Sequence, residues 1–224
     1  MRRILSLILC LSLLPIPARA AQSKYVALTF DDGPSGRYTR QLLEGLRERS
    51  VQATFLLCGY RMAQYPQLTE QIWQEGHEIG FHGYSHATMK DMSRRDIARE
   101  IEASQALLPQ GCTPVFLRPP GGLTSDAVRQ VAQARQLAIL SWSVDPRDWE
   151  VHDATLIEKA VVDKVKDGDI ILLHDMSDSS VRAALEIIDI LSSRGFRFVT
   201  VSQLARLRKE TIQPGKSYRR FPPE

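Results

Sequence analysis

The chain has 224 residues, 43% hydrophobic and 25% charged, with a formal net charge of +3, enough apolar content for one well-buried domain and cramped for two. Arg2, Arg3 and Arg19 lie in the first 20 positions with no acid among them, so the remainder carries as many acids as bases. That balance implies no broad basic surface, so nucleic-acid binding loses its simplest support and no nucleic-acid partner is expected.

Met1-Arg2-Arg3, the apolar run Ile4 to Leu14 and Ala18-Arg19-Ala20 follow the order of a signal peptide, which sets the expected mature start at Ala21. The run has 11 residues, well short of the ~20 of a spanning helix. Residues 1–20 therefore predict export to the periplasm or the exterior, with no stable membrane anchor after cleavage.

The first strand is predicted over Tyr25 to Phe30, an apolar run that ends in Asp31, Asp32 and the turn Gly33-Pro34. The two carboxylates either cap that turn or carry chemistry at a strand end. Gly36 to Ser50 has a one-faced helical pattern. The second strand, Ala53 to Cys58, is followed by a helix from Pro66 to Glu75 that Gly76 stops. The third strand, His77 to Phe81, delivers His82-Gly83-Tyr84-Ser85-His86. A helix capped by Ser93, with Asp96 three residues on, carries Ile97, Ile101 and Leu108.

The fourth strand, Val115 to Leu117, ends at Arg118-Pro119-Pro120-Gly121-Gly122, where prolines and glycines force an irregular loop. A helix over Thr124 to Arg135 leads to the fifth strand, Leu137 to Val144, which ends at Asp145-Pro146-Arg147-Asp148-Trp149. Thr155 with Glu158 reads as a capping box for the next helix. The sixth strand, Asp169 to Leu173, delivers His174-Asp175. A helix over Val181 to Arg194 and a seventh strand over Phe196 to Val201 follow. Cys58 and Cys112 fall at opposite strand ends, which predicts two separate thiols. His77 and His152 are expected as surface or strand residues.

Seven strands alternating with helices predict a parallel α/β barrel. In such a barrel the strand ends share one rim, and five of the seven end in groups able to do chemistry. One carboxylate with two histidines is a ligand set that leaves positions open for water and substrate. The four-residue spacing of His82 and His86 fits one side of a helical turn, and Gly83 fits a loop equally well.

Taken in order, Thr29-Phe30-Asp31-Asp32-Gly33, His82-Gly83-Tyr84-Ser85-His86, Arg118-Pro119-Pro120-Gly121-Gly122, Asp145-Pro146-Arg147-Asp148-Trp149 and Leu172-Leu173-His174 resemble the five motifs of the NodB-homology polysaccharide deacetylases, carbohydrate esterase family 4. The resemblance implies a distorted (β/α)7 barrel over residues 21–208, after the signal peptide 1–20 and before a loose polar tail, 209–224. It implies a monomeric hydrolase that removes acetyl groups from a GlcNAc-containing polysaccharide such as peptidoglycan or a chitin-like glycan. In some members the acetyl group is O-linked, as on xylan.

The resemblance also implies one divalent metal ion, zinc first, with Co2+, Ni2+ or Mn2+ as alternatives. By position, Asp32, His82 and His86 resemble the metal ligands, Asp31 the general base and His174 the general acid. Arg118 and Asp148 resemble the partners that tune Asp31 and His174. The Gly121 backbone resembles the oxyanion donor, and Trp149 and Leu172 the lining of the acetyl pocket. Two positions depart from the pattern: Gly83 stands where Ser or Thr is usual, and Gly121 where an aromatic is usual. A non-catalytic glycan-binding module would be expected to lack Asp31 or His174, and both are present. A metallo-phosphoesterase would need a second metal set or a Gly-rich phosphate loop, and the chain has neither.

Overall fold

Lys24–Asp31 forms β1, and its last six residues are buried, the unbroken apolar pattern of a parallel strand covered on both faces. The computed structural model describes residues 23–223; the expected signal segment 1–20 lies outside the described residues. After β1 come α1 (Arg37–Glu48), β2 (Thr54–Leu57), α2 (Gly59–Gln64), α3 (Pro66–Gln74), β3 (Glu78–Phe81) and α4 (Arg94–Gln105). Then follow β4 (Phe116–Leu117), a 3-10 turn (Pro120–Gly122), α5 (Asp126–Ala134), β5 (Ala138–Leu140) and α6 (Ala154–Val162). The chain closes with β6 (Ile170–His174), α7 (Asp178–Ser193), β7 (Phe196–Phe198), α8 (Val201–Leu207) and β8 (Ser217–Tyr218).

The strands pair in parallel in the order β6-β1-β2-β3-β4-β5-β8, with β7 on the early part of β1. The sheet curls until Val144 bridges Ile171, which brings the end of the β5 segment back to β6. This is a distorted (β/α)7 barrel. Leu42, Leu43 and Leu46 from α1 and Ile187, Ile188 and Leu191 from α7 pack in one core with Phe30 and Phe55, whose rings stack at 5.3 Å. Truncating any of those leucines costs ~2–5 kcal/mol by cavity formation.

Register sets the rim. Asp31 on β1 pairs with His174 on β6, and Phe81 pairs with Leu117, so the next residues, His82 and Arg118, emerge side by side.

Several expectations are corrected. The segment 209–224, expected as a loose tail, is ordered as far as it is described: β8 pairs with β5, and Tyr218 and Phe221 are buried, with rings stacked at 5.3 Å. Two aromatics in a polar segment cover the open edge of the sheet beyond β5. The α6 cap is Asp153, whose side chain accepts from the Thr155 and Leu156 N–H groups, in place of a Thr155–Glu158 box. The fifth strand stops at Leu140 because the chain there turns away, and Val144 keeps only a single bridge. The short helices α2 and α8 were not foreseen; each is too short to show a period. His77 is neither strand nor surface but a buried residue just before β3. Cys58 and Cys112 are free thiols.

Candidate active site

Successive side chains of a strand face opposite sides, so adjacent aspartates reach one bowl only if the backbone turns between them. It does: Asp31 ends β1, and Asp32 stands at φ +72°, a left-handed conformation that costs an L-residue about 1–2 kcal/mol. His82 follows β3 directly, and His86 comes from a loop, not a helical turn, at φ +63°.

The Asp32 Oδ1 lies 3.2 Å from His82 Nε2 and 3.0 Å from His86 Nε2. It is buried without a hydrogen-bond partner, and the ligand atoms of the three residues all lie within 4.8 Å of one another. His82 Nδ1 donates to the Arg118 carbonyl at 2.7 Å, which leaves the Nε2 lone pair facing Asp32. Burial works to raise the Asp32 pKa, and only positive charge facing it, on the two rings or on a cation in their place, outweighs that and holds the carboxyl well below the usual range. A carboxylate oxygen that no proton satisfies, beside two imidazole nitrogens, fits a divalent cation of the zinc type.

Asp31, 3% exposed, sits beside that set, its Oδ2 at 3.7 Å from His82 Nε2. Its Oδ1 accepts from Arg118 Nη1 at 2.6 Å. Arg118 is wholly buried, and such a charge is tolerable only when its donors are satisfied. They reach Thr29 Oγ1 at 2.9 Å and the Ser141 carbonyl at 3.0 Å, and the guanidinium lies over the Trp142 ring at 5.5 Å.

His174 stands opposite. Its Nδ1 donates to Asp148 Oδ1 at 2.8 Å, and its backbone N–H donates to Asp148 Oδ2 at 2.8 Å. Burial alone would lower its pKa; the hydrogen bond and charge of Asp148 overcome this and push it up to about 9. At neutral pH the ring is an imidazolium, with Nε2–H as the proton not committed to Asp148.

Asp31, Asp32, His82, His86 and His174 line one cleft of about 430 Å3, whose walls include Gly121, Trp142, Asp145, Trp149 and Leu172. Such a volume suits a sugar-sized ligand. Trp149 is 58% exposed while Leu172 is buried, so one wall is open and the other closed. At Gly121 a side chain would meet nothing nearer than Leu123 at 3.9 Å, yet φ is +67°, so conformation and not space favours glycine there. Asp145 Oδ1 accepts the Arg147 N–H at 2.8 Å while facing the cleft. Sequence reasoning missed Trp142 and Thr29. Thr29 was legible in principle, two residues before Asp31 and so on the same face; Trp142 gave only one more aromatic within the expected fifth strand.

The family model for polysaccharide deacetylases matches residues 18–139. Over 189 residues the chain is 39% identical to a peptidoglycan-N-acetylglucosamine deacetylase of Bacillus cereus, covering 82% of this chain and 89% of the relative. It is 35% identical to the peptidoglycan-N-acetylglucosamine deacetylase PgdA of Listeria monocytogenes, covering 91% of this chain but 43% of the relative, so it spans less than half of that protein's length. Among solved structures, a family 4 acetyl xylan esterase from Clostridium thermocellum in complex with a cobalt ion superposes with a TM-score of 0.83 at 35% identity, covering 89% of this chain and 100% of that one. The chain belongs to the polysaccharide deacetylase family, the hydrolases of carbohydrate esterase family 4.

Proposed function

We propose that this chain removes acetyl groups from an N-acetylated, glucosamine-containing polysaccharide, with peptidoglycan as the first substrate to test. The observation that supports it best is the meeting, in one cleft, of the Asp32–His82–His86 set with the Asp31 carboxylate on one side and the His174 imidazole on the other. The names of the relatives favour peptidoglycan. Export, with residues 1–20 removed, belongs to the same reading; among the described residues no helix is long and apolar enough to cross a membrane.

An amide carbonyl is a weak electrophile and its nitrogen a poor leaving group, so the site must both activate water and protonate nitrogen. A divalent metal, zinc first, held by Asp32, His82 and His86 would supply Lewis acidity toward the acetyl oxygen and lower the pKa of water beside it. Asp31, fixed by Arg118, takes a proton from the attacking water as its oxygen bonds to the acetyl carbon. The Gly121 backbone N–H serves as a donor to the oxyanion. His174, held by Asp148, gives its Nε2 proton to the nitrogen as the carbon–nitrogen bond breaks, leaving acetate and a free amine. Trp149 and Leu172 take the acetyl methyl between them.

A second reading, O-deacetylation, is favoured by the likeness to the acetyl xylan esterase structure. The test is release of acetate from peptidoglycan, N-acetylglucosamine oligomers and acetylated xylan, each with and without a chelator. Metal-dependent release from the first two supports the N-deacetylase reading, release from xylan alone replaces it, and no release from any overturns both.

A further inference from the structure

The loop that presents His86 is held in shape by very little of its own. It has no helical hydrogen bonds, and two of its residues, Gly83 at φ +79° and His86 at φ +63°, are left-handed. Backbone of this kind persists only where its surroundings over-determine it. Two elements do so from opposite sides. The first N–H groups of α2, from Gly59 and Tyr60, donate to the Gly83 and Tyr84 carbonyls, each at 2.9 Å. From α4 a single side chain takes the other half: Glu100 Oε2 accepts the Tyr84 N–H at 2.7 Å and the Ser85 N–H at 2.8 Å, while Oε1 accepts the Ser85 hydroxyl at 3.0 Å. The carboxylate passes so close to the loop that a Cβ at Gly83 would stand 3.2 Å from Oε2 and 2.9 Å from Met89 Cε. His86 follows Ser85 directly and is the most exposed of the three candidate ligands, its side chain 43% exposed, so it has the least packing to hold it.

We propose that Glu100 is the positioning residue of the metal site: it does not touch the ligands but fixes the loop that sets where His86 Nε2 points. It lies outside every motif of the sequence. The inference rests on the ligand reading of Asp32, His82 and His86 given above. Glu100 acts through metal affinity, because Asp31, Arg118, Asp148 and His174 share no hydrogen bond or ion pair with it.

Zinc affinity, measured by chelator competition on the whole chain, tests it. Glu100→Ala weakens zinc binding by about 10–100-fold, the usual effect of removing a group that orients a ligand. Glu100→Gln rescues most of the affinity, since its amide oxygen can accept both N–H groups and its nitrogen can donate to Ser85 Oγ. In the metal-free protein the Tyr84 and Ser85 amides, protected in wild type, exchange rapidly in Glu100→Ala. Equal zinc affinity in wild type and Glu100→Ala overturns the inference while leaving the ligand set intact. Equal losses in Glu100→Ala and Glu100→Gln overturn it as well, because charge and not the hydrogen-bonded clamp would then be responsible. A wild type that binds no zinc overturns the ligand reading and this inference with it. Should Glu100→Ala fail to fold, Glu100→Gln and Ser85→Ala decide: Ser85→Ala, which loses one of the three contacts, must show an intermediate loss.

Discussion

Two histidines bracket β3, alike in burial and opposite in how their ring nitrogens are used. His77 precedes the strand and His82 follows it, 3% and 2% exposed. At His82, Nδ1 donates to the Arg118 carbonyl and Nε2 keeps its lone pair toward Asp32. At His77 the roles are reversed: Nδ1 accepts the Ala53 N–H at 3.2 Å, so the proton sits on Nε2, facing Glu75 at 4.0 Å. Each histidine also adjoins a cavity of about 430 Å3. Neither burial nor cavity volume separates the proposed ligand His82 from the core residue His77. The partner of the second ring nitrogen does, because it fixes which nitrogen has a free electron pair and where that pair points.

The largest expected effect breaks this comparison outright. Asp32→Ala, His82→Ala and His86→Ala each lose bound zinc, measured by elemental analysis after gel filtration, and acetate release falls by roughly 100-fold or more. His77→Gln keeps full zinc content and turnover. Zinc lost from His77→Gln as readily as from His82→Ala would mean that the two ends of β3 do not differ as their tautomers say. Next in size is Asp31→Asn, which keeps its metal but loses about 10²–10⁴-fold in kcat, because an amide cannot accept the proton of water. Near-normal turnover in that variant would move the base elsewhere.

A smaller effect sharpens the same point at a third histidine. His174 donates Nδ1–H to a carboxylate, and Asp148 pushes its pKa up to about 9 against the burial that would lower it. The acid form is therefore fully present at neutral pH, and N-deacetylation declines as pH rises through the pKa; a bound divalent cation shifts that decline to lower pH. Asp148→Asn removes the raising charge and leaves the burial, so the alkaline limb of the kcat profile moves to lower pH. An unmoved limb would show that His174 is not the titrating acid. An activated aryl acetate, whose leaving group needs no proton, loses far less in His174→Ala than an N-acetyl sugar does.

What the sequence made legible follows the same division. Strand ends were readable because apolar runs stop sharply at charged residues, and the rim assembled from Asp31, His82, Arg118, Asp148 and His174 once the barrel was assumed. The family's motifs added roles that spacing alone left open, whereas whether His82 and His86 share a helical turn stayed open until the fold put His86 on a loop. Contacts between elements were not readable. Glu100 looks like any surface acid on an amphipathic helix, and Trp142 like any strand aromatic. Tyr218 and Phe221 vanish in a polar average although they complete the sheet edge. His77 was misplaced because its burial depends on α3 and β2 meeting over it.

The last comparison is one of stability, with no expected effect on turnover. Burial pushes the His77 pKa down to about 4, against an ordinary 6.5. The sign follows from proton counting: above pH 6.5 both folded and unfolded chains hold the ring neutral, and below it the unfolded chain binds a proton that the folded chain refuses. The stability tied to neutral His77 is thus complete above pH 6.5, declines as pH falls, and is gone below about 4, a loss of about 3 kcal/mol at 1.36 kcal/mol per unit. Asp175 works in the opposite direction: burial pushes its pKa up to about 6, so its contribution is present at acid pH and lost as pH rises through 6. The raw pH profile mixes the two. Urea unfolding of wild type and His77→Gln at pH 7, 5.5 and 4 separates them, because Gln does not titrate and Asp175 is common to both. The wild type must lose stability relative to the variant as pH falls, by an amount approaching 3 kcal/mol. A constant difference across the three pH values would mean that His77 is already hydrated or paired in the folded chain, and the contrast with His82 would then rest on geometry alone.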